Sequence, residues 1–216
     1  NSNNILSLWN ISDISDISEI SHNQESNLSF KSFYSSSNKF IAYDGIDFYT
    51  PTIEDNPQIS NQNLKENVFF NSLNEIDPVD YIIIARSDML FEAERLANIN
   101  RDENGLNVKV VELQKIYNEF SSGNQDISAI RNFVRYVYNN SSNNNSLKYL
   151  CLFGDASYDY KERIANNTNV IPSWNSLNSF SLSSSYVSDD FFGMMDPGEG
   201  MMTNSNKLDI AVGRIL

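Results

Sequence analysis

The sequence predicts a parallel, doubly wound α/β domain preceded by a small β-rich segment. Three observations carry that expectation. Runs such as Tyr81-Ile82-Ile83-Ile84-Ala85 are apolar at every position, as strands covered on both faces are. Between such runs lie stretches with apolar residues at helical spacing, above all Ile127, Ile130, Phe133, Val134, Val137 and Tyr138. Strand and helix patterns then alternate from residue 77 onward, which is the signature of a parallel sheet with right-handed crossovers.

Residues 1–76 differ in texture from 77–216, and the chain divides there into an Asn/Ser-rich leader with a small β-rich segment and an α/β subdomain. Residues 1–27 contain the near-repeat Ile11-Ser12-Asp13-Ile14-Ser15-Asp16-Ile17-Ser18. Isoleucine at every third position fits neither a half-buried strand nor a lasting helical stripe, so a loop or irregular edge is expected. Strands are expected at 28–34 and 39–43. Asp44-Gly45 signals a turn, and the alternating Ile46-Asp47-Phe48-Tyr49 follows it. Pro51 and Pro57 bracket the exit.

The first strand of the α/β part is expected near 80–85. Asp88 stands where a helix N-cap belongs, ahead of Met89, Ala93, Leu96 and Ala97, and predicts a helix near 88–99. Gly105 breaks the chain before a strand at 108–112. Asp126 caps a helix near 126–138, and an Asn/Ser loop leads into a strand at 147–153 that Gly154-Asp155 ends. A last strand is expected at 208–213. In such sheets the functional crevice lies beyond the carboxyl ends of the strands, so the segments after Arg86, Val111, Phe153 and Val212 matter most. Asn1 in place of Met, and Leu216 directly after an apolar run, lead us to expect the front portion of a larger domain.

The formal charge of −13 and the pI of about 4.4 oppose general binding to nucleic-acid backbones, which needs clustered Lys and Arg. No apolar run approaches the roughly 20 residues of a membrane span. With one cysteine and one histidine the chain can form neither an internal disulfide nor a Cys/His zinc site. Cys151 lies within an apolar strand, where nothing lowers a thiol pKa, and reads as a buried structural cysteine. His22 lies in the leader and reads as a surface residue. No nucleophile elbow, P-loop or dinucleotide fingerprint is present.

The acidic residues are more informative. Asp155 and Asp159 follow the 147–153 strand, Asp189 and Asp190 precede Phe191-Phe192-Gly193, Asp196 and Glu199 lie in a Gly-rich turn, and Asp209 opens the last strand. Carboxylates from separate loops suit a hard cation such as calcium; the competing reading is that each caps a turn or helix.

Several segments, in this order and spacing, resemble the gingipain-type cysteine peptidases. They are Ile116-Tyr117-Asn118-Glu119-Phe120-Ser121-Ser122-Gly123 with Asp126, Ala129-Ile130-Arg131-Asn132-Phe133, and Leu150-Cys151-Leu152-Phe153-Gly154-Asp155-Ala156-Ser157-Tyr158-Asp159. Val170-Ile171-Pro172, Ser185-Tyr186-Val187-Ser188-Asp189-Asp190-Phe191-Phe192-Gly193 and Asp209-Ile210-Ala211-Val212-Gly213-Arg214-Ile215 complete the set. The resemblance runs from about Val79 onward, and residues 1–76 resemble the β-rich region that precedes the peptidase domain.

The resemblance implies a caspase-like fold in two subdomains, of which this chain holds the first. It places the catalytic His and Cys downstream of the Val-Gly-Arg-Ile strand, so no residue here is assigned to catalysis and the chain alone is expected to be inactive. It implies calcium held by Asp155 and Asp209, with either Asp196 from the loop between them or a loop carbonyl. Strand topology alone would set Asp155 and Asp209 at opposite ends of the sheet, so the resemblance requires the 156–208 excursion to fold back. It also implies an exported endopeptidase or sortase-like transpeptidase of type IX secretion. Such an enzyme would sit at the cell surface, on the outer membrane or outside the cell, with protein or peptide substrates and other secretion components as partners. Two other classes compete: a non-catalytic peptidase-like scaffold or adhesion module, and a small-molecule-binding doubly wound domain. Against the last, Ala85-Arg86-Ser87-Asp88 stands where a receiver domain would carry an acidic cluster.

Overall fold

The computed structural model describes residues 5–24, 28–33, 37–46, 50–53, 60–141, 147–178, 180–203 and 205–216. By contact the chain forms two compact units, residues 1–59 and 60–216.

In the first unit β1 (Ser7–Asn10) is the middle strand of a three-stranded sheet, between β2 (Ser18–Glu19) and β5 (Phe40–Tyr43), antiparallel to both. β3 (His22–Gln24) and β4 (Leu28–Phe30) make a separate antiparallel pair. This corrects the expectation of an irregular leader over 1–27. Leu8 is the apolar residue that the sheet buries, at 1% exposure, while Ile11, Ile14 and Ile17 lie outside the strands. Neighbouring Asx residues fold back locally: Asn10 Oδ1 accepts from the Ser12 amide and Asp13 Oδ1 from the Ser15 amide, both at 2.9 Å. Ile14 is left exposed on the resulting turn. The Asp44-Gly45 turn forms as expected, with Asp44 Oδ1 accepting from the Ile46 amide at 3.1 Å. Of the returning strand expected at 46–49, residues 47–49 lie outside the described residues, as does Tyr34.

The second unit is built on four parallel strands: β6 (Tyr81–Ala85), β7 (Val108–Glu112), β8 (Tyr149–Phe153) and β11 (Ala211–Ile215). Their order across the sheet is β11-β8-β6-β7, and every neighbouring pair is parallel. Two short strands, β9 (Trp174–Asn175) and β10 (Val187–Ser188), pair antiparallel in the long β8–β11 connection. Helix α1 (Leu64–Asn67) joins this unit, its Leu64 amide donating to Glu119 Oε2 at 2.9 Å.

Helix α2 (Leu90–Asn104) crosses from β6 to β7, and α3 (Leu113–Phe120) and α4 (Ile127–Asn140) lead from β7 to β8. The strands alternate their side chains between two cores. Ile82, Ile84, Leu150 and Leu152 pack with Ile116, Ile130 and Phe133 of α3 and α4. Ile83, Ala85, Val108 and Cys151 pack with Ala93 and Ala97 of α2. Helices on both faces explain why the central strands β6 and β8 are apolar along their length.

Local signals decide most boundaries. Gly105 ends α2 in the left-handed conformation (φ 62°), its amide donating to the Asn100 carbonyl. Asp126 caps α4 by accepting from the Ser128 amide at 2.7 Å. Asp88 does not cap α2: it lies in a 3₁₀ turn, Ser87–Met89, where Arg86 draws its carboxylate into a two-point ion pair (2.7 and 2.8 Å). The last strand begins at Ala211, three residues later than expected. No helix among the described residues is long and apolar enough to cross a membrane.

Candidate functional site

The first crossover runs from β6 to β7 and the next carries the chain back past β6 to β8, so the strand order reverses between β6 and β8. A ligand crevice in such a sheet opens outside the carboxyl ends of the strands at this point. Here Ala85 and Phe153 lie side by side in register. The N-terminus of α4 and the long excursion after β8 supply walls there. A cavity of about 260 Å³ lies beside that helix N-terminus, lined by Asp126, Tyr160, Ser173 and Asn175 among others.

The excursion is tied down at its root. The Gly154 amide donates to the Ile215 carbonyl at 2.8 Å, and the Asp155 carbonyl accepts from the Val170 and Ile171 amides, both at 3.0 Å. Arg214 adds four hydrogen bonds here. Its Nη1 donates to the Gly154 and Ile171 carbonyls (2.7 and 2.8 Å), while Nε and Nη2 grip both oxygens of Asp189 (2.8 and 2.7 Å). A planar guanidinium fork matches a carboxylate in this way, and an ammonium does not. A second arginine, Arg131 of α4, is buried; its Nε donates to the Met194 carbonyl at 2.9 Å and its guanidinium lies over the Phe191 ring. Burial holds its pKa below the usual arginine value. It fixes the 3₁₀ turn Asp190–Gly193 and the residues after it.

The three carboxylates expected to share calcium do not form a common cage. Asp155 follows the carboxyl end of β8, where its Oδ1 accepts from the Ala156 amide at 2.7 Å. Asp209 precedes the amino end of β11, where its Oδ2 accepts from the Met195 amide at 2.7 Å. Ala211 pairs with Tyr149 and Ile215 with Phe153, so the strands alone separate the two positions by roughly 13 Å, four residues at ~3.3 Å each. Asp196 keeps company with Asp209: both negative charges add to burial in pushing the Tyr138 hydroxyl pKa up. The fold-back that the resemblance required does not bring Asp155 to them. Among the described residues no three His, Cys, Asp or Glu side chains gather as a metal site. Asp159 is likewise a turn residue, accepting from the Ile164 amide at 2.7 Å.

Cys151 occupies the middle of β8, between Ile83 and Gly213, and is 4% exposed. Burial pushes its thiol pKa up, against smaller opposing effects from the Tyr81 hydroxyl and Arg214. A neutral, enclosed thiol is the opposite of an activated nucleophile. His22 belongs to the first unit, with its ring nitrogens 3.3 and 3.4 Å from the Ile5 and Ile20 carbonyls.

The doubly wound parallel sheet with helices on both faces places the chain in a known class of peptidase domain. The model for peptidase family C25, the gingipain family, matches residues 74–216, and the chain belongs to that family. Among solved structures it is similar to PorU from Porphyromonas gingivalis, in the crystal structure of the dimeric latent protein. The two are 27% identical with a TM-score of 0.64, over 96% of this chain and 20% of that one. The chain therefore spans about a fifth of that protein's length. No curated protein sequence matches the chain significantly.

Proposed function

We propose that the chain is the first subdomain of an exported, PorU-like cysteine endopeptidase. The enzyme processes secreted proteins during type IX secretion at the cell surface, and its Cys–His dyad lies outside residues 1–216. The observation that carries this reading is the family match over 74–216 on a sheet whose one cysteine is enclosed and without a base. In the whole enzyme a thiolate attacks the peptide carbonyl and an imidazole moves the proton to the leaving amine. The share of this chain is the rigid sheet and the walls of the crevice that orient the peptide. Purified gene product containing these residues should cleave an unfolded secreted protein, and Cys151→Ala should keep most of that rate. Loss of cleavage in a folded Cys151→Ala protein would overturn the placement of the nucleophile, and a wild-type protein that cleaves nothing would overturn the peptidase reading.

A further inference from the structure

Resting on that peptidase reading, we propose that Arg214 and Asp189 are positioning residues that hold the substrate crevice open in one shape. The two side chains are 11% and 24% exposed, and the ion pair is bidentate. None of the four acceptor atoms that Arg214 engages lies on a strand of the four-stranded sheet. Gly154 and Ile171 stand at the two ends of the loop that follows β8, and Asp189 stands between β10 and the 3₁₀ turn. One guanidinium therefore joins three points of the long excursion at the carboxyl end, where a peptide would lie.

The sheet does not need this clamp. β11 is paired to β8 over five residues through backbone hydrogen bonds, and the two apolar cores contain neither Arg214 nor Asp189. What the clamp adds is the relative placement of two loops that are otherwise joined through few backbone bonds. The role is specific to arginine: a lysine at 214 keeps the charge but cannot serve two carbonyls and a bidentate carboxylate from one plane. The clamp touches walls and not reacting groups, so its loss falls on substrate binding.

The test uses the gene product containing this chain, as wild type, Arg214→Lys and Asp189→Asn, with steady-state cleavage of a peptide and amide hydrogen exchange. Arg214→Lys should raise KM about tenfold or more with kcat changed less than about threefold, the pattern of binding lost equally from ground state and transition state. Exchange should quicken within 154–171 and 187–193 and stay unchanged in β6 and β7. Asp189→Asn, nearly isosteric, should give the same pattern more weakly and serves if Arg214→Lys does not fold. Unchanged KM, a loss confined to kcat, or faster exchange throughout the sheet would each overturn the proposal. Inactive wild-type protein would overturn the peptidase reading alone, and the exchange comparison would still support or overturn the clamp.

Discussion

Replacing Gly154 by alanine tests the root of the crevice. Gly154 follows β8 with φ +148°, a backbone conformation that side-chain-bearing residues rarely adopt. An added Cβ would stand 2.4 Å from Val170 Cγ1 and 2.8 Å from Val170 Cβ, too close for any real contact. The backbone strain costs about 1–3 kcal/mol. Forcing a methyl into packed side chains costs a further ~1–3 kcal/mol. Together they amount to about 4 kcal/mol. At ~2–4 °C per kcal/mol for a unit of this size, the melting temperature should fall by about 12 °C. Thermal melts followed by far-ultraviolet circular dichroism measure this directly. In the Gly154→Ala/Val170→Ala double variant the 2.4 Å contact with Cγ1 is gone, while the 2.8 Å contact with Cβ and the backbone strain remain, so only part of the loss should be recovered. A fall of less than about 2 °C would show that neither the clash nor the strain is present at Gly154.

Phe133, fully buried between α4 and the sheet, should cost about 3–5 kcal/mol when cut to alanine, seen as a lower urea midpoint. Stability should also fall in alkali: the buried Cys151 thiol sits above its ordinary value of 9.0, so its contribution is complete below that pH. It is lost as pH climbs through the folded-state value, because the unfolded thiol ionises first. Urea midpoints between about pH 8 and about pH 10 should decline, and Cys151→Ala should flatten part of that decline; an unaltered slope would contradict the assignment. Millimolar calcium should raise the melting temperature by less than about 1 °C, because Asp155 stands apart from Asp196 and Asp209. A larger rise that Asp155→Ala abolishes would show that the three carboxylates do meet.

Which features were legible in the sequence follows from where their information lies. The parallel sheet, α2, α4, Gly105 and the Asp126 cap rest on local patterns, and local patterns report them. Helix α3 begins directly after β7 with no side-chain cap at Glu112, so nothing marks its start. The last strand slips to Ala211 because Asp209 is held by tertiary bonds to Gly193 and Met195. Ser7–Asn10 became a central strand through pairing with residues some thirty positions away, which a period count over 1–27 does not see. For the site, the enclosed state of Cys151 was readable from its apolar run. The Arg214–Asp189 pair was not, since it joins residues 25 apart across the excursion and no spacing rule encodes it. The calcium set came from the resemblance and not from spacing, and strand register sets Asp155 and Asp209 toward opposite ends of the sheet.

On the proposed reading, these residues build the crevice while the nucleophile lies elsewhere in the protein. Brief labelling of the native gene product with a thiol-reactive peptide analogue, followed by peptide mapping in the mass spectrometer, tests it most directly. One stoichiometric adduct is expected on a cysteine outside residues 1–216, with Cys151 unmodified until the protein is denatured. Rapid stoichiometric modification of Cys151 in the folded protein would contradict it.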